Sequence, residues 1–205
     1  MAEPRIDASL PLDAVDERRP VVDEQVFQRP RGKNGCLLLR QRAGRQGLNR
    51  LPCHFRRVAN LVPPFEANGG RHGVSAALEF AVTQLKVPEI VVMGHERCGG
   101  IQAALTGCFH GAAAGEGGFV HRWMSQIEEP ANQIAQSRGT GPEAARELEE
   151  VAIRQSLANL RSFPFVKERE DAGEVVLLGC HFSISEGQLY LLDEAEDSFR
   201  PVATD

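Results

Sequence analysis

The sequence predicts an α/β fold: a mainly parallel sheet of four to five strands flanked by helices, with an antiparallel edge strand near the C-terminus. Three observations carry this. "EIVVMG" at residues 89–94 is short, continuously apolar and β-branched, which suits a strand buried on both faces. Stretches with helical spacing of apolar residues stand on either side of it. Towards the C-terminus, "EVVLLGCHFSISEGQLYLLD" reads as two strands joined by a tight turn at Ser185, Glu186 and Gly187, a hairpin at a sheet edge.

Residues 1–57 show no sustained period of 2 or 3.6, and Pro4, Pro11, Pro20 and Pro30 punctuate them. They are expected to form an atypical basic arm, disordered or altered in reading frame, with the α/β domain at 58–205. In "GVSAALEFAVTQLK", Val74, Ala77, Leu78, Ala81, Val82 and Leu85 share one helical face, and Pro88 stops the helix. The strand at 89–94 follows, then a glycine pair and a helix beginning "IQAAL". "FVHRWMSQIEEPANQIAQ" and "PEAARELEEVAIRQSLANLRSF" read as two further helices, the second striped by Leu148, Val151, Ala152, Leu157 and Leu160.

At 205 residues and 42 % hydrophobic, the chain fits one domain with a sizeable core. No apolar stretch approaches the roughly 18 residues that cross a membrane. The opening twenty residues lack the basic start and apolar run of a signal peptide, so a soluble cytoplasmic protein is expected. Cys36, Cys53, Cys98, Cys108 and Cys180 are odd in number and irregular in spacing, which argues against a disulfide framework. A net charge of −5 argues against a nucleic-acid partner. From Gln25 to Phe65, however, there is no acid, while Arg29, Arg31, Lys33, Arg40, Arg42, Arg45, Arg50, Arg56 and Arg57 all fall there. Only Phe27 and Phe55 stand among these basic residues, too few to interleave for base stacking, so a solvated arm is the plain reading.

The chemistry concentrates in "GHERCGG". His95 and Cys98 follow the strand at its carboxyl end, where open parallel sheets place their sites. Two intervening residues let an imidazole and a thiolate converge on one ion, as in short-spaced zinc ligand pairs. Gly99 and Gly100 allow close backbone approach, and a following helix N-terminus favours a thiolate. Taken alone, the pair is weak and reads more readily as a loop histidine beside a buried cysteine, since zinc wants at least three protein ligands.

The neighbours of this motif go further. "ANLVPPFE", "HGVSAALEFAVTQLKVPEIVVM", "GHERCGGIQAAL", "FVHRWMSQI", "SLANLRSFPFV" and "GCHFSISEGQLYLLD" occur in order over residues 58–203, and together they resemble the β-class carbonic anhydrases. The resemblance implies an intertwined homodimer or higher homo-oligomer and one zinc per chain held by two cysteines and a histidine. It implies reversible hydration of carbon dioxide to bicarbonate by water activated on that zinc. His95 and Cys98 match the family's histidine and second cysteine ligands; Ser75, Ala76 and "PPFE" match segments near its substrate pocket.

One part of the family pattern is missing. The C-x-D-x-R motif, which supplies the first cysteine ligand and an Asp–Arg pair beside the zinc, occurs nowhere in this chain, so no catalytic residue is assigned. Cys36 lies within a couple of residues of the expected position but is followed by three leucines; it is the candidate third ligand, or a chance cysteine in the arm. Family sequence resumes abruptly at Val58, which is what a shifted reading frame over residues 30–57 would leave. Cys53 and His54 lie too close to "VANL" to serve. Cys108 and His110 read as structural filler, Cys180 as packed with His181 at the surface, His72 as a first-turn or pocket-lining residue and His121 as solvent-facing. Zinc-dependent carbon dioxide hydration is the leading expectation. A non-catalytic dimerising or bicarbonate-binding relative and a hydrolase of related heterocumulenes such as carbon disulfide are the rivals.

Overall fold

Strand β3 (Glu89–His95) sits inside the sheet, and its composition accounts for the position. Successive side chains of a strand point to opposite faces. Ile90 and Val92 accordingly enter a core with Leu177, Ile153, Leu157, Leu160 and Phe163, while Val91 and Met93 meet Leu178, Cys180 and Leu189 on the other side. The computed structural model describes residues 36–40, 53–56, 58–68 and 72–203, all within one compact unit, Gly32–Asp205.

Among these residues β1 (Cys36–Arg40), β2 (Cys53–Arg56), β3, β4 (Val176–Ser183), β5 (Gln188–Asp193) and β6 (Ser198–Pro201) form one six-stranded sheet, ordered β2-β1-β3-β4-β5-β6. An α/β sheet flanked by helices, with an antiparallel C-terminal edge, is as the sequence predicts. The pairing is more mixed than expected: β3 and β4 run parallel, and the other described pairings are antiparallel. The continuous apolar run was a true sign of a central strand, but burial on both faces does not require parallel neighbours on both sides. The hairpin turn before β5 is present, with Gly187 at φ +66°. β6, unforeseen, extends that edge and ends in Pro201, a residue compatible with an outer strand.

Much of the expected arm lies outside the described residues. Two pieces of it, β1 and β2, pair with each other and join β3.

Between β3 and β4 the chain crosses through α2 (Gly99–Thr106), α3 (Gly118–Met124), α4 (Glu128–Arg138), α5 (Pro142–Arg161) and α6 (Pro164–Asp171). The helix expected over 119–136 is divided by a 3₁₀ turn at Ser125–Ile127. Pro130 explains the break: its ring clashes with the preceding turn in a helix interior but is tolerated in a first turn, so a new helix starts at Glu128. α1 (Gly73–Glu79) runs into a π-helical turn, Phe80–Gln84, that keeps Ala81 and Val82 buried.

α5 organises the domain. Its stripe is buried from Ala144 to Leu160 and packs on β3 and β4. Close approach is possible because Gly94 and Gly179 stand beneath it. A Cβ on Gly94 would lie 2.9 Å from Ile153, and one on Gly179 would lie 2.8 Å from the same side chain. Polar residues of α5 tie down the segment before α1. Ser156 donates to the Asn60 carbonyl at 3.0 Å and accepts from the Val62 N–H at 3.2 Å, and Asn159 donates to the Val62 carbonyl at 2.7 Å. "VANLV" and "SLANL" therefore hold each other.

Candidate metal centre

β3 ends at His95, and a turn through Glu96 and Arg97 delivers Cys98 to the N-cap of α2. Arg97 takes φ +58°, so the chain reverses within two residues. Both side chains are buried, His95 at 8 % and Cys98 at 3 % exposure.

The histidine is oriented by its own loop. Nδ1 lies 2.9 Å from the Glu96 carbonyl oxygen, which can only accept, so Nδ1 carries the hydrogen. That leaves Nε2, a buried atom without a hydrogen-bond partner, as the nitrogen that offers a lone pair when the ring is neutral. A histidine held in this way presents the nitrogen that ligates a metal. The Cys98 side chain is the largest influence on the ring: hydrogen bonding to it raises the His95 pKa to about 8, against the lowering effect of burial.

Cys98 is positioned from a distance. Glu149, in the middle of α5, accepts the Cys98 N–H at 3.0 Å through Oε1 and meets His181 Nε2 at 2.8 Å through Oε2. Glu149 is 2 % exposed and His181 is not exposed at all. The expectation of a surface histidine is thus corrected: His181 pairs by register with Gly94 on the neighbouring strand and is sealed under α5. Cys180 is packed, as expected, and burial pushes its thiol up to about 11. Sequence reading passed over Glu149, although there was a signal. Ala145, Leu148, Glu149, Ala152 and Ile153 lie on the buried face, and a carboxylate in such a stripe needs a partner.

Glu96 fastens the other side of the loop. Its Oε2 accepts the Ser185 N–H at 2.6 Å, and this hydrogen bond holds its carboxyl below the ordinary range. The β4–β5 turn is thereby tied to the turn that carries His95.

The remaining candidates separate. Cys36 opens β1, and its Cα pairs with Met93, two residues before His95, because β1 runs antiparallel to β3. Its backbone therefore lies at the same end of the sheet as the His95 turn. The side chains of Cys36, Cys53 and His54 lie outside the described residues, as does most of residues 30–57. Ser75 and Ala76 fall in the first turn of α1, and His72, just before it, is exposed with Nε2 3.8 Å from Glu66. Cys108 is exposed. Two side chains of the kind that zinc takes thus stand together: a buried imidazole nitrogen without a hydrogen-bond partner and a buried thiol at a helix start.

Comparison with known proteins bears on the family and the fold. A family model described as carbonic anhydrase matches residues 53–189. "Beta carbonic anhydrase 6, mitochondrial" from Arabidopsis thaliana is 36 % identical over 137 residues, 66 % of this chain and 46 % of that protein. "Beta carbonic anhydrase 3" from the same plant is 33 % identical over 135 residues, 64 % of this chain and 51 % of that protein. The chain thus spans about half the length of these curated relatives. Among solved structures, the β-carbonic anhydrase CcaA superposes with a TM-score of 0.59 at 24 % identity, covering 69 % of this chain and 68 % of its own. A structure of tetrameric β-carbonic anhydrases from the ascomycete Sordaria macrospora gives 0.53 at 22 % identity, covering 71 % and 67 %. Likeness at that identity speaks for the fold, and the family match with the curated relatives speaks for descent: the chain belongs to the β-class carbonic anhydrase family.

Proposed function

We propose that this protein catalyses the reversible hydration of carbon dioxide to bicarbonate at a zinc ion held by His95 and Cys98, with Cys36 as third ligand. The observation that carries the proposal is the buried, unpartnered Nε2 of His95 beside Cys98, at the strand end of a β-class carbonic anhydrase fold. When bound, zinc supplies a Lewis acid that makes water a nucleophile near neutral pH.

The chain's own residues do the rest. The Glu96 carbonyl keeps Nδ1 protonated so that Nε2 is the nitrogen that would hold the ion, and the raised pKa of the ring means that an ion would compete with a proton there. Glu149 fixes the backbone of Cys98, and the start of α2 favours the thiolate. Ile101, Leu105, Leu148 and Ala152 pack in the same cluster as Cys98 and keep water from its back. The chain has no C-x-D-x-R, so a water activated there would give its proton to solvent or buffer rather than to a paired aspartate. Turnover is therefore expected to depend on buffer concentration.

A homodimer or higher oligomer and a cytoplasmic location belong to the same proposal. The first is supported by the tetrameric Sordaria relatives and by exposed Phe80, Phe119 and Ile184; sizing and cell fractionation test them. The enzymatic reading is tested by stopped-flow hydration of carbon dioxide on zinc-loaded protein, alongside zinc stoichiometry and a His95→Ala variant. One zinc per chain lost in the variant, and a rate above the uncatalysed one, support it. Well-folded protein that binds no zinc at His95, or a rate equal to buffer alone, overturns it in favour of a non-catalytic scaffold.

A further inference from the structure

A second group of donors lies away from His95. His110 follows α2, His121 sits in α3, and Glu128 opens α4; one ligand atom from each lies within 4.8 Å of the other two. From these positions we propose a second metal site, for a first-row divalent transition ion of the zinc type, with ligands His110, His121 and Glu128.

The donor set suits that class of ion. Two neutral imidazoles and one carboxylate match zinc, copper or nickel, whereas magnesium and calcium take oxygen ligands. Tetrahedral bonds of about 2.0–2.1 Å place donor atoms about 3.3 Å apart, so the three groups need to close by only about 1.5 Å. His110 and Glu128 are exposed and His121 half-buried, so their side chains can move that far. The two rings already face each other edge to face, with centroids 5.2 Å apart.

The backbone beneath them is fixed. Gly107 ends α2 in the left-handed region, and the His110 N–H donates to its carbonyl at 2.9 Å. Further on, the Gly118 N–H donates to Ala113 and the His121 N–H to Gly117, both at 2.9 Å. Gly117 takes φ +121° with the Phe109 ring against it, and a Cβ on Gly118 would collide with the Ala112 carbonyl. The loop from α2 to α3 thus folds in one compact way and brings His110 back to His121. All three donors rim a cleft of about 60 Å³ with Ser125 and Asn132, which leaves room for water or a small anion as the fourth ligand. Glu128, as the first residue of α4, has its negative charge favoured by the helix start.

The test must separate this site from the one at His95, and a difference measurement does so. Equilibrium dialysis against zinc, on parent protein and His110→Ala/His121→Ala, is expected to show one ion per chain fewer in the double variant. The same change in a His95→Ala background must remove the same ion. Cobalt loaded into His95→Ala protein is expected to show ligand-field bands without thiolate charge transfer, and these vanish in the triple variant. Glu128→Gln, which leaves the loop untouched, is expected to weaken the ion by roughly tenfold or more. Equal zinc counts in parent and double variant, with both folded by circular dichroism, overturn the proposal. So does a cobalt spectrum unchanged by the histidine substitutions.

Discussion

Glu149→Ala is the sharpest probe of how this fold supports its site. The carboxylate accepts the Cys98 N–H and meets His181, and all three groups are buried. Removing it strips two buried polar groups of their partner at about 1–3 kcal/mol each. The two together come to about 4 kcal/mol. At roughly 2–4 °C per kcal/mol for a domain of this size, melting should fall by about 8–16 °C. Urea unfolding of metal-free protein, followed by the fluorescence of Trp123, the sole tryptophan, measures the loss directly. A second substitution makes the test specific. In Glu149→Ala/His181→Leu only the Cys98 N–H remains bare, so about half the stability should return. A loss under about 1 kcal/mol for the single variant, or a double variant that is simply additive, would refute the reasoning.

Two further outcomes follow from packing and burial. Gly179→Ala puts a methyl group 2.8 Å from Ile153 and 3.0 Å from Leu157, and should cost about 1–3 kcal/mol, with Gly179→Ala/Ile153→Val recovering part of it in the same urea assay. Cys180 has its thiol raised from 9.0 to about 11 by burial. The folded state therefore holds this proton more tightly than the unfolded chain does: stability is intact below about pH 9 and is lost as pH rises through about 11. Two units correspond to about 2.7 kcal/mol. A Cys180→Ala variant should lack that part of the alkaline slope under reducing conditions, and identical slopes would contradict the assignment.

What was legible in the sequence follows the length scale of each interaction. His95 and Cys98 lie on one turn, so their spacing alone suggested the chemistry, and the strand "EIVVMG" and the helix of α5 announced themselves by local period. The division of the helix at 119–136 was written in Pro130 and could have been read. Glu149 and His181 were harder. They are 32 residues apart in sequence, and neither has a chemical reason to be buried until α5 is laid across β3 and β4. A lone buried histidine and a glutamate on an apolar stripe are each anomalous, and together they explain one another.

The same logic bears on the missing third ligand. In the family pattern a cysteine is read together with an aspartate and an arginine two and four residues on, and Cys36, followed by leucines, fails that test. Pairing adds a criterion that a linear motif does not contain. Because β1 is antiparallel to β3, its first residue rather than its last lies at the carboxyl end of β3, and that residue is Cys36, opposite Met93. A motif placed after a strand and a cysteine placed before one can thus reach the same end of the sheet, depending on strand direction. If Cys36 ligates zinc with His95 and Cys98, Cys36→Ser should lose zinc as His95→Ala does while keeping the ion assigned to His110, His121 and Glu128. Zinc at His95 undiminished by Cys36→Ser would remove Cys36 from the site.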